Sequence, residues 1–154
     1  CHACIDNCIH TCAGIRLRAV CDSMMKKQGH EEPVGQAKIT PAFNLPCKFV
    51  LHTVGPIVEG QLTQTDCDLL SSCYTSCLVA AKAHGISSIA FCCISTGVFR
   101  FPQEEAAQIA IAAVKKWKEK KEQTTLRPDM AGAATRMKVV FNVFSEKDEG
   151  IYRR

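Results

Sequence analysis

The first twelve residues, CHACIDNCIHTC, hold four cysteines, two histidines, one aspartate and one asparagine. Thiolate and imidazole are donors for a borderline-soft metal, and a carboxylate near an imidazole can share acid–base work. A reduced cysteine in a core behaves simply as a small apolar side chain. The stretch is thus compatible with a metal site, a disulfide scaffold, one apolar face of a helix, or part of an active site. Asp6 and His10 are four residues apart, so on a helix both point the same way. Each also has a plainer reading. An Asp at a helix start favours the dipole, and a His on a half-apolar face is more often structural than catalytic.

A second candidate is the segment ISTGVFRFP, residues 94–102. Ser95 and Thr96 offer hydroxyls, Gly97 admits close approach to the backbone, and a helix N-terminus follows with unsatisfied N–H groups. These features suit an anion or a diphosphate. The plainer reading is a strand-to-helix turn that needs Gly97 for its geometry.

The elements that must position these groups follow from periodicity. Apolar residues at Ile5, Cys8, Ile9, Cys12, Ala13, Leu17, Val20 and Cys21 predict one amphipathic helix, with Cys8 and Cys12 facing the core. KKQGHEEPVGQ ends it in a loop. CKFVLHTVGP predicts a strand. TDCDLLSSCYTSCLVAAKAHG predicts a helix with Thr65 or Asp66 as N-cap and Gly85 as C-cap. ISSIAFCCIS predicts a second strand, buried on both faces. FPQEEAAQIAIAAVKKWKEKKEQ has Pro102 near its first turn, acids early and lysines late, as a helix dipole prefers. TTLRPDMAGAAT predicts a mobile connection and MKVVFNVFS a last strand. The alternation means an α/β fold with mostly parallel pairing, whose ligands sit at the carboxyl ends of the strands.

Composition narrows the class. The chain has 154 residues, 47% hydrophobic and 22% charged, which suits one soluble domain. No signal-peptide pattern and no apolar run long enough to span a bilayer are present, so a cytoplasmic location is expected. The formal charge of +4 is mild, and the Lys and Arg from Lys115 onward are not interleaved with aromatics and glycine. A nucleic-acid partner is therefore not expected. The 11 cysteines are odd in number, and Cys73, Cys77, Cys92 and Cys93 sit inside apolar segments. That favours reduced thiols over a disulfide framework. There is no initiator Met and the pattern starts in mid-motif, so the chain is expected to be a piece of a longer protein.

CIDNCIHTCAG, GQAKITPAFNLPCKFVLHTVGP and SIAFCCISTGVFRFPQEEAAQIA, in this order, together resemble macrodomains, the ADP-ribose-binding α/β/α family. The His-x-Cys before Ile5 is similar to the zinc-containing subclass of macrodomain hydrolases. The resemblance implies a three-layer α/β/α domain with a mixed sheet, residues 1–154 forming its C-terminal portion without the first strands. It implies hydrolysis of mono-ADP-ribose from a modified protein side chain, with Asp6 and His10 catalytic. It implies ADP-ribose bound by Asn7, Ser95, Thr96, Gly97, Val98, Phe99 and Arg100. A zinc ion would be held by His2 and Cys4, with Cys1 an awkward third ligand. Arg100 stands where many macrodomains have Gly, and its long cation would either pair with a phosphate or obstruct the loop. The competing expectations are a reader that binds ADP-ribose without cleaving it, and a zinc-stapled structural domain with Cys8 as fourth ligand. A redox enzyme built on CHAC is weaker, since no strand precedes it.

Overall fold

The computed structural model describes residues 4–125 and 137–154, with side chains through 120 and again from 137. Most of the expected TTLRPDMAGAAT connection lies outside the described residues, as do Cys1 and His2.

The chain opens with two helices, α1 (Ile5–Ala13) and α2 (Ile15–Gln28), where the periodicity predicts one. Gly14 separates them at φ 85 and ψ 176, a conformation that side chains disfavour. Space demands glycine here as well: a Cβ would lie 2.9 Å from Asn44 Nδ2. The turn carrying Asn44 is pinned against the break. Arg16 Nη2 donates to Asn44 Oδ1 at 3.1 Å, its guanidinium lies 5.1 Å from the Phe43 ring centroid, and Asn44 N donates to Ala13 O. Periodicity alone cannot see such a break, because the apolar spacing continues through it. A second expectation is also corrected. Ala13 is buried, but Cys8 and Cys12 are exposed on the outer side of α1 and do not face the core.

Strands β1 (Ala37–Pro41) and β2 (Phe49–Thr53) pair antiparallel, with Ala37 opposite Thr53 and Pro41 opposite Phe49. Strands β3 (Ser88–Phe91) and β4 (Lys138–Phe141) pair in parallel. The expectation of mostly parallel pairing is therefore corrected to one ladder of each kind among the described residues. Connection length explains the difference: the short link between β1 and β2 can only turn back, whereas α4 (Gln103–Thr125) lies within the crossover from β3 to β4. The strand expected to be buried on both faces is also corrected. Ile89 and Phe91 are buried, whereas Ser88 and Ala90 are exposed.

Helix α3 (Gln64–Ala83) starts earlier than expected. Its N-cap is Thr63, whose Oγ1 accepts from Asp66 N while Asp66 Oδ2 accepts from Thr63 N. This reciprocal pair is a capping box, and it places the helix start two residues before Thr65 and three before Asp66. The C-cap is His84, and Gly85 follows at φ 65. Leu70, Cys73, Tyr74, Cys77, Leu78 and Ala81 form the buried stripe of α3. It packs on the small residues Ala106, Ala110, Ala113 and Val114 of α4. Each leucine so buried contributes about 1.5–3 kcal/mol. A short α5 (Glu146–Tyr152), absent from the sequence reading, closes the chain. Its Asp148 is buried and accepts from Gln103 Nε2 at the start of α4. No helix among the described residues is long and apolar enough to cross a membrane.

Candidate active site

The candidate residues lie on α1 and on the loop after β3. On α1, Asp6 and His10 face each other one turn apart, with Asp6 Oδ1 3.6 Å from His10 Nε2. Asp6 is 72% exposed at its side chain, whereas His10 is only 11% exposed. The far nitrogen of His10, Nδ1, is buried without a hydrogen-bond partner. Asn7, half-buried beside them, accepts at its backbone carbonyl from Thr11 Oγ1.

The loop is a tight wrap closed at its base. Phe101 N donates to Ser95 O at 2.9 Å, Arg100 N to Gly97 O at 3.0 Å, and the Phe101 side chain is buried. The hydroxyls that the sequence offers to a ligand are turned inward. Thr96 Oγ1 donates to Cys93 O, and Ser95 Oγ is buried without a partner. Among the described residues the N–H groups of Gly97, Val98 and Phe99 make no backbone hydrogen bond, and Gly97 and Val98 are exposed.

Glycine 97 does not serve the turn itself. Positive φ falls instead on Ser95, at 64, and on Arg100, at 59. A Cβ at Gly97 would meet nothing within 4 Å. Neither strain nor internal packing demands a glycine, so the expected geometric role of Gly97 is corrected. The open space above it is what a ligand lying on the backbone would need. Arg100 occupies a left-handed position where glycine is the relaxed choice, and its side chain is exposed.

Two contacts tie the segment after β2 to the loop, and a third interaction reaches it from α1. Gly55, at the end of β2's His-Thr-Val-Gly-Pro, is buried, and a Cβ there would collide with Ser95 Oγ and lie 2.8 Å from Ile94 Cγ2. Val58 N donates to Phe99 O at 2.9 Å. Cys4, which caps α1, sits close enough to Cys92 for its charge to help raise that thiol's pKa, after the larger effect of burial. The charge at the mouth of α1 thus acts at the carboxyl end of β3, where the loop departs.

The remaining thiols behave as core. Burial pushes Cys77 up to about 12 and Cys93 up to about 11, far from a thiolate at neutral pH. All ten described cysteines are free. Of the predicted zinc ligands only Cys4 is described, half-buried at the mouth of α1. No group of three or more His, Cys, Asp or Glu among the described residues could hold a metal. An open concavity of about 500 Å³ adjoins the loop, lined by Thr96, Gly97, Arg100, Gln103, Glu104 and Lys147 among others. It includes neither Asp6 nor His10, and it carries two carboxylates, Glu104 and Glu105, alongside two cations, Arg100 and Lys147.

Sequence reasoning assigned no role to Thr40, His52 or Gly55. The signal available was a single histidine in an otherwise apolar strand. Thr40 Oγ1 and His52 Nε2 are 2.9 Å apart, and the His10 and His52 ring centroids are 6.4 Å apart. Burial, and then the nearness of His10, holds the His52 pKa below its ordinary value, against a smaller opposing pull from Asp6.

Known proteins are similar to this chain. A protein-ADP-ribose hydrolase of Treponema medium is 63% identical over 154 residues, all of this chain and 54% of that protein. An ADP-ribose glycohydrolase of Mus musculus is 42% identical over 149 residues, covering 97% of this chain and 41% of its own length. The chain thus spans about half the length of the curated relatives it matches, or less. Among solved structures, an Oceanobacillus iheyensis macrodomain mutant with ADPR superposes with a TM-score of 0.81 at 35% identity, covering 98% of this chain and 75% of that one. The Macro domain family model matches residues 1–110, and with these likenesses the chain belongs to the Macro domain family.

Proposed function

We propose that the whole protein is a hydrolase that releases mono-ADP-ribose from modified protein side chains, cutting the bond at the anomeric carbon of the distal ribose. The observation that carries this reading is the pairing of two walls. A carboxylate and an imidazole 3.6 Å apart stand at the mouth of α1, beside a loop whose free amides and bare Gly97 suit a diphosphate. The hydrolase names of the Treponema and mouse relatives support it.

In this reading the backbone of residues 95–99 wraps the diphosphate and distal ribose, fixing the reacting bond. Asn7 binds the ligand from α1. Asp6 orients or deprotonates the attacking water, or stabilises positive charge developing at the anomeric carbon. His10 holds Asp6 in place. Zinc belongs to the same proposal, held by His2 and Cys4 with Cys1 a possible third donor. The half-buried Cys4 thiol at the mouth of α1 fits a thiolate donor near the reacting bond. When bound, zinc supplies a Lewis acid that lowers the pKa of water.

Incubating the purified full-length protein with a mono-ADP-ribosylated protein and measuring free ADP-ribose tests the activity. Binding without release makes the protein a reader. Metal analysis should find about one zinc per chain, lost in His2→Ala and Cys4→Ser variants. Unchanged metal and turnover in both variants would remove zinc from the proposal.

A further inference from the structure

We infer that His52, fixed by Thr40, is a positioning residue for His10, holding the imidazole edge that meets Asp6; this rests on the hydrolase reading above.

His10 lacks an anchor of its own. Its Nδ1 is buried and makes no hydrogen bond, so no polar contact on that side sets the ring orientation. A buried ring nitrogen without a partner calls for an explanation, and a histidine ring turns easily about its last torsion. Packing must therefore do the work, and the ring packed nearby is His52, tilted at 44°. His52 is in turn tied down. Its Nε2 shares a hydrogen bond with Thr40 Oγ1, and Thr40 is 2% exposed. In the β1–β2 ladder Thr40 lies opposite Val50, two residues from His52, so the two side chains are diagonal neighbours on one face. The titratable groups that act on His52 are His10 and Asp6, both on α1. Near neutral pH His52 is uncharged and works as a shape with one directed hydrogen bond. The chain of contact runs from the hairpin through two imidazoles to the carboxylate.

The test uses the full-length protein and a mono-ADP-ribosylated protein substrate, with kcat and ADP-ribose affinity measured separately. His52→Phe fills the volume but cannot hold Thr40. It is expected to lower kcat by about 10- to 100-fold, the scale of a displacement near 1 Å, with affinity kept within about threefold. Thr40→Val should lower kcat by a smaller factor, and Thr40→Ser, which keeps the hydroxyl, should restore it. A merely structural role would move affinity and kcat together and would not separate Ser from Val. A wild type that releases no ADP-ribose overturns the hydrolase reading and this role with it. If the wild type turns over and Asp6→Ala does not, an unaffected His52→Phe overturns this role alone.

Discussion

Helix α1 and the 95–101 loop are built on opposite plans. In the proposed function the helix acts through side chains: Asp6 stands in solvent, His10 is largely buried, and the local backbone is ordinary helix closed by Gly14. The loop acts through its backbone. Its hydroxyls are turned away, the N–H groups of Gly97, Val98 and Phe99 make no backbone hydrogen bond among the described residues, and Ser95 and Arg100 sit at positive φ to make the wrap. A nucleotide's diphosphate carries fixed charge that oriented amides can meet, whereas bond cleavage needs a group that can move a proton or a charge. Dividing the work lets each wall be rigid in its own way. It also predicts that damage to each should read out differently.

The largest expected effect is on the helix. Asp6→Ala should cut turnover by about 10²- to 10⁴-fold while ADP-ribose affinity changes little. Equal loss of both would make Asp6 a binding residue and dissolve the contrast. Next comes the joint between the loop and the segment after β2. Gly55→Ala forces a Cβ into Ser95 Oγ and Ile94 and should cost about 1–3 kcal/mol in unfolding free energy, with ADP-ribose binding lost alongside. Full stability in a denaturant melt would show that the loop is not braced there. Gly97→Val separates the two plans most cleanly. No internal neighbour opposes the new side chain, so stability should stay within about 0.5 kcal/mol while affinity, read by calorimetry, falls about tenfold or more. Arg100→Gly relieves a strained φ and should stabilise by about 1 kcal/mol.

The smallest effect concerns pH. His52 has its pKa lowered from 6.5 in the folded state, so the unfolded chain takes up a proton first as pH falls. Its contribution is present above 6.5 and is lost as pH falls from there through the lowered folded value. Thermal melts at pH 7.5 and 5 should show a shallower acid loss in His52→Phe than in wild type.

Much was legible in the sequence. Helix α4 was readable because acids, lysines and Pro102 agree along its length, and β3 with its following loop because an apolar run ends in Ser-Thr-Gly. The family was readable from three motifs in order. The break at Gly14 was not, because Gly inside a continuing apolar pattern carries no local signal of the Asn44 turn that requires it. Nor was the joint at Gly55, which lies 40 residues from its partner Ser95.

Residue chemistry and spacing by themselves determined which groups are available: a carboxylate and an imidazole one helical turn apart, and a glycine-bearing turn before a helix. Such relations span at most a few residues, where backbone geometry is nearly fixed by the type of element. Only the tertiary structure decided that the hydroxyls of Ser95 and Thr96 face inward, that Cys8 and Cys12 face outward, and that His52 stands behind His10. Those outcomes depend on which distant segment packs against each side chain, and period and composition do not encode that.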